Sequence, residues 1–223
     1  MAKIVQRLLD LKLPARQSAF LWGPRRVGKS YWIRQNYPNA PIIDLLKSDV
    51  YAEYASRPSL LRERFGAHER GLVVIDEIQK IPALLDEVHW LIENTRLGFL
   101  LTGSSGRKLR RGHANLLAGR AWRRQMVPLT YLEVDRLDLE RIMISGLLPP
   151  HFLSSAPIED LRAYVGDYLK EEIAAEALTQ NIPAFAEFLR VAAITSSEIL
   201  NYTNVGREAW GFRQGCSKLF WNP

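Results

Sequence analysis

The stretch SAFLWGPRRVGKS, Ser18 to Ser30, decides the fold. Its apolar half, Ala19–Trp22, reads as a short buried strand. Gly23–Gly28 reads as a loop, and Lys29 onward (KSYWIRQNY) as a helix that stops before Pro38. GPRRVGKS fits the pattern G-x-x-x-x-G-K-[ST] completely, and its place between strand and helix is the one a phosphate cradle needs. Gly23, Pro24, Arg25, Arg26, Val27 and Gly28 would wrap the phosphates with backbone N–H groups, the two glycines taking angles that a Cβ forbids. Lys29 would reach the β- and γ-phosphates, and the Ser30 hydroxyl would bind Mg²⁺. Arg25 and Arg26 lie near phosphate or point to solvent.

Working outward, Gly71–Ile75 is a continuous apolar run that ends in Asp76-Glu77, the pattern of a strand buried on both faces. In a parallel sheet that end lies beside the phosphate loop. Asp76 is then placed to hold Mg²⁺ through water and Glu77 to activate the attacking water. Further strands are predicted at Pro41–Leu45, Gly98–Thr102 and Arg120–Leu129. Helices are predicted over residues 4–13 (ended by Pro14), through a polar region to about Phe65, from Pro82 to Asn94, and over a basic segment at 107–119. Strands alternating with helices at this spacing make an α/β parallel sheet with helices on both faces.

Two further elements complete the predicted site. In LLTGSSG, a polar side chain at the strand tip is suited to the γ-phosphate or the attacking water; Ser104 is the first choice, with Thr102 and Ser105 as rivals and a helix N-cap as the alternative role. In LLAGRAW, Arg120 is the candidate cation for the charge that develops on the γ-phosphate, delivered within the chain or by a neighbouring subunit. Arg107, Arg110, Arg111 and Arg123 compete for that role.

Net charge is +6, and the excess is concentrated: no acidic residue lies between Glu93 and Glu133, where eight lysines and arginines fall. Such a segment suits nucleotide phosphates, nucleic acid or an acidic neighbour. The lone cysteine, Cys216, excludes an intramolecular disulfide, and the four histidines show no metal-ligand spacing. No secretory signal pattern and no apolar run long enough for a bilayer are found, so the sequence reads as a cytoplasmic protein with no membrane partner. The α/β core is expected to end near residue 150, at Pro149-Pro150 and SSAP. Helices are expected beyond it at Ile158 to about Asn181, at Pro183–Ala193 and from the capping pattern Thr195–Glu198.

The succession GPRRVGKS, VVIDEIQKIP, LLTGSSGRKL, LLAGRAWRRQMVPLTYLE and DYLKEEI resembles the prokaryotic AAA+-like ATPases that carry a C-terminal domain of unknown function 4143. The resemblance implies a P-loop NTPase sheet in the order 5-1-4-3-2 flanked by helices over residues 1–150, then a helical segment leading into a partial winged helix over 151–209. It assigns ATP and Mg²⁺ as ligands, Lys29 and Ser30 the phosphate and magnesium roles, Asp76 and Glu77 the Walker B roles, and Ser104 the sensor role. It also adds weight to Arg120. The tail GREAWGFRQGCSKLFWNP departs from the family, which is read as a truncation or frameshift that replaced the continuation at 210–223. The sequence reading is therefore a Mg²⁺-dependent ATPase. Two rivals are a nucleotide-controlled DNA-binding switch with little hydrolysis and a remnant that only binds nucleotide. Self-association and DNA remain open as partners.

Overall fold

The strands β1 (Ser18–Trp22), β2 (Ile42–Asp44), β3 (Arg70–Asp76), β4 (Arg96–Gly103) and β5 (Ala121–Gln125) form one all-parallel sheet in the order β2-β3-β4-β1-β5. Read from the other edge, this is the order 5-1-4-3-2 expected from the sequence. The computed structural model describes residues 5–68, 70–104, 117–134, 136, 138–167 and 182–196.

The apolar runs of β1, β3 and β4 are continuous because alternate side chains feed two separate cores. On one face Phe20, Val73, Ile75, Phe99 and Leu101 pack with Tyr54 of α2 (Ser48–Ser56), Leu61 of α3 (Leu60–Phe65), and Leu84, Val88 and Leu91 of α4 (Leu84–Asn94). On the other face Ala19, Leu21, Val74 and Leu100 pack with Trp32 and Ile33 of α1 (Lys29–Asn36), and with Leu11, Val27 and Met126. Phe20, Phe99 and Leu101 are fully buried. Each such side chain contributes roughly 1.5–3 kcal/mol relative to exposure. The sheet is thereby a rigid base, and the ends of its strands are fixed in space.

Residues 5–14 form no helix, contrary to the expectation from their apolar spacing. Their polar backbone groups are satisfied at long range instead: Leu8 N–H donates to Glu133, Leu13 N–H donates to the Tyr37 hydroxyl, and that hydroxyl donates to Leu11 C=O. Leu11 buries into the core below α1 while Leu8 stays exposed, so tertiary partners override a weak helical pattern. The polar helical region before Phe65 is split into α2 and α3 at Arg57-Pro58, where a tight turn replaces the helical ladder.

After β5 the chain continues through α5 (Leu139–Ser145) and α6 (Pro149–Phe152). Asp138 caps α5, its carboxylate accepting the Arg141 N–H at 2.9 Å. Contacts divide the chain into two compact units, Met1–Pro157 and Ile158–Pro223. The second holds nearly all of α7 (Pro157–Asp167) and α8 (Ile182–Ile194). Along α8, Phe185 and Phe188 meet ring to ring at 5.9 Å and Arg190 pairs with Glu187. Of the basic helix expected at 107–119, residues 117–119 form a 3₁₀ turn and residues 107–116 lie outside the described residues, as do the second half of the helix expected to Asn181, the third helix beyond Ser196, the winged-helix segment and the tail.

Candidate functional site

In a parallel sheet all strands finish at the same edge, and here that edge gathers the motif residues. Trp22 is level with Gly103 and Asp44 with Asp76, while Gly23 N–H donates to Gly103 C=O at 3.2 Å. The loop from Gly23 to Gly28, the pair Asp76-Glu77 and the segment Thr102–Ser104 therefore share one rim.

The two loop glycines are required for different reasons. Gly28, which precedes α1, has φ 101°, a left-handed conformation that side chains rarely adopt. Gly23 has no such angle; a Cβ there would sit 2.4 Å from the Met126 carbonyl oxygen. The expectation of unusual backbone angles at both glycines therefore holds for Gly28, and close backbone approach explains Gly23. Arg26 adopts a left-handed φ of 62°. Arg25 is half-buried and Arg26 exposed.

Lys29 is buried, and its ammonium donates to Gly23 C=O at 2.6 Å and Pro24 C=O at 3.2 Å. The cation is thus folded over the loop itself. Ser30 Oγ lies 2.9 Å from Asp76 Oδ2. The other Asp76 oxygen accepts the Thr102 hydroxyl, and Thr102 Oγ1 accepts the Glu77 N–H at 3.3 Å. Thr102 is wholly buried and uses its hydroxyl as both donor and acceptor. Its geometry makes it the fixture of Asp76 and of the turn into Glu77, while Ser104 stays half-buried at the rim. Ser105 lies outside the described residues.

Glu77 is buried and sits at φ 61°, ψ 45°. For a non-glycine residue this costs of order 1–3 kcal/mol, and such conformations persist only where neighbours enforce them. Ile78, fully buried in the 3₁₀ turn Ile78–Lys80, and the bond from Thr102 are two such neighbours. A cavity of about 100 Å³ opens beside Ser30 and Asp76 and is also lined by Arg34, Asp44 and Lys47. The larger hollow, about 510 Å³, is lined by Asn36–Pro41 and the first residues of β3, at the opposite edge of the sheet from the motif residues.

Arg120 is not brought to this rim. It precedes β5, pairs with Glu93 near the end of α4, and so belongs to the opposite edge. The five residues of β5, at about 3.3 Å each, put roughly 16 Å of strand between the two edges. Arg107, Arg110 and Arg111 lie outside the described residues, and Arg123 is exposed on β5.

Sequence reading missed two participants. Gln79 donates to the Glu77 carboxylate and lies 3.4 Å from Ser104 Oγ, a link that only the turn at Glu77 creates. Arg7 donates to Val27 C=O of the loop at 2.5 Å and to Val127 C=O at 2.6 Å, and forms a buried ion pair with Glu133 at 2.9 Å. Burial alone would raise the Glu133 carboxyl, but the Arg7 hydrogen bond and the N–H groups of Leu8 and Thr130 outweigh it and hold it below the usual carboxylate range.

Among the described residues no three histidine, cysteine, aspartate or glutamate side chains cluster as a metal cage. The hydroxyl of Ser30 and the carboxylate of Asp76 do converge, an oxygen donor set that fits Mg²⁺ shared with phosphates. No helix among the described residues is long and apolar enough to cross a membrane.

Parallel sheet, glycine loop and the acids at its rim define a P-loop nucleoside-triphosphatase domain. The AAA domain family matches residues 15–134, and the chain belongs to that family. It is 30% identical over 171 residues to uncharacterised proteins of Mycobacterium tuberculosis and Mycobacterium bovis, a match that covers 74% of this chain and 37% of theirs. It is also similar to a Walker-type ATPase of Pyrococcus abyssi (18% identity, 79% of this chain and 74% of that chain, TM-score 0.47). A further similarity is to the ORC2 protein of Aeropyrum pernix in ADPNP–ADP complexes (11% identity, 86% and 73%, TM-score 0.46).

Proposed function

We propose that this chain binds ATP with Mg²⁺ and hydrolyses it, with Glu77 activating the attacking water. The observation that carries the reading is the convergence of Lys29, Ser30, Asp76 and Glu77 on one rim, with Ser30 Oγ 2.9 Å from Asp76. Lys29 exchanges the carbonyls of Gly23 and Pro24 for β- and γ-phosphate oxygens, a stronger charge-assisted contact. Ser30 and Asp76 would hold Mg²⁺, which would supply positive charge to offset that of the phosphates. Asp76 keeps its second oxygen on Thr102, so its direction is set before nucleotide arrives. The water oxygen attacks the γ-phosphorus, its proton passes to the Glu77 carboxylate, and the bond to the ADP oxygen breaks. With Thr102 engaged by Asp76 and Glu77, Ser104 is, among the described residues, the hydroxyl at the tip of β4 left to meet the γ-phosphate or the water.

In this reading Arg120 cannot serve the nucleotide of its own chain. As a finger it acts on a neighbouring copy, leaving Glu93 to do so. The test is nucleotide binding and steady-state hydrolysis by wild type, Lys29→Ala and Glu77→Gln. Lys29→Ala loses binding; Glu77→Gln keeps it and loses turnover by about 10²–10⁴. Equal hydrolysis by wild type and Glu77→Gln would remove Glu77 from the mechanism.

A second reading, contact with nucleic acid, is favoured by the edge strand β5, where Trp122, Arg123 and Arg124 are exposed and Arg124 stacks over Trp122 at 5.2 Å. Retention on DNA that weakens steeply with salt supports it, and no binding at low salt sinks it.

A further inference from the structure

The geometry points to Gln79 as the residue that orients Glu77 toward the attacking water. This deepens the hydrolysis reading and rests on it. Gln79 sits in the 3₁₀ turn directly after Glu77, and its Nε2 donates to Glu77 Oε2 while lying 3.4 Å from Ser104 Oγ. A carboxylate only accepts, so the amide must face it with nitrogen, which fixes the orientation of the carboxamide. The amide oxygen is left on the inner side. It is buried and, among the described residues, has no hydrogen-bond partner.

The seat of that oxygen is specific. A Cβ on Gly103 would lie 2.1 Å from Gln79 Oε1 and 2.7 Å from the Trp22 ring, so the carboxamide rests directly against the tip of β4. Buried acceptors without partners are uncommon, and they persist where the rest of the side chain is needed in place. This one is held on the side chain that grips the general base. With Oε1 seated against Gly103 and closed off from water, the carboxamide is held in one orientation, and Nε2 fixes the Glu77 rotamer. Gln79 is thus a positioning residue for the reaction, linked to the Ser104 rim by the same amide.

The test uses Gln79→Met, which keeps length and removes both hydrogen-bonding groups, and Gly103→Ala, which displaces the carboxamide from its seat. Affinity is read with a fluorescent ATP analogue, turnover by phosphate release, and water positioning by the relative affinity for ADP–aluminium fluoride against ADP–beryllium fluoride. Loss of the hydrogen bond that holds the Glu77 carboxylate lowers kcat roughly 10- to 100-fold. In Gln79→Met the ATP affinity stays within about twofold, since the phosphate contacts are untouched. The preference for aluminium fluoride, which mimics the transferring phosphoryl with its in-line water, falls in step with kcat. A merely structural role would weaken both analogues alike. Slow Glu77→Gln with wild-type turnover in both Gln79→Met and Gly103→Ala overturns the role of Gln79 alone. Turnover of wild type no faster than Glu77→Gln overturns the hydrolysis reading and this inference together.

Discussion

Removing the carboxylate of Glu133 probes the tie between the N-terminal segment, the phosphate loop and the chain leaving β5. The Arg7 and Glu133 side chains are 6% and 3% exposed. Glu133 accepts from Arg7 Nε at 2.9 Å, Leu8 N at 2.8 Å, Thr130 N at 2.8 Å and Thr130 Oγ1 at 3.2 Å. Breaking a buried pair by removing one partner costs about 3–5 kcal/mol, because the other charge remains buried. Arg7 still has the carbonyls of Val27, Val127 and Pro128, and glutamine can still accept from the two backbone N–H groups. Glu133→Gln is therefore placed at the lower limit, about 3 kcal/mol, which lowers Tm by roughly 6–12 °C in a unit of this size. Chemical and thermal denaturation of wild type, Glu133→Gln, Arg7→Ala and the double variant measure the cost and the coupling. The pair also sets a pH dependence. The folded carboxyl lies below its unfolded value, so the native state binds fewer protons and this stabilisation is fully present above the unfolded pKa of about 4.3. It is lost as pH falls through the folded value. A Glu133→Gln cost under about 0.5 kcal/mol at pH 7, within the range of an ordinary surface substitution, would refute the reasoning.

Other outcomes follow from single contacts. Thr102→Val keeps volume but strands Asp76 Oδ1 and the Glu77 N–H, a loss of about 1–3 kcal/mol seen by urea denaturation, with slower hydrolysis. Gly23→Ala drives a Cβ to 2.4 Å from the Met126 carbonyl, so the loop must shift and nucleotide affinity falls in a binding titration. Arg120→Ala leaves stability within about 1 kcal/mol, because the Glu93 pair is 39% and 48% exposed. Its hydrolysis defect, if Arg120 acts on a neighbour, is restored by mixing with Lys29→Ala chains that supply an intact arginine.

The strands were legible because residues such as Val73, Val74 and Ile75 must satisfy two cores at once, which a continuous apolar run does. The rim was legible for the same reason: Lys29, Ser30 and Asp76 lie at fixed offsets from those runs. Residues 5–14 were not, since Leu8, Leu11 and Leu13 fit a helix face as well as an extended segment, and the choice is made by Glu133 and Tyr37, far away in sequence. Gln79 escaped notice because its contact with Glu77 depends on the left-handed backbone at residue 77. Thr102 could be nominated from the strand tip, but its bond to Asp76 rather than to a ligand needed the register of β3 and β4.

The left-handed backbone of Glu77 also bears on how this domain can change over time. A glycine or asparagine there would relieve the conformation, and relief of a strained backbone commonly stabilises by a fraction of a kcal/mol to about 1 kcal/mol. Selection for robustness alone would then draw position 77 away from glutamate, toward a sturdier chain without the carboxylate proposed to activate water. Laboratory evolution for heat tolerance without an activity screen is expected to replace the proposed general base early.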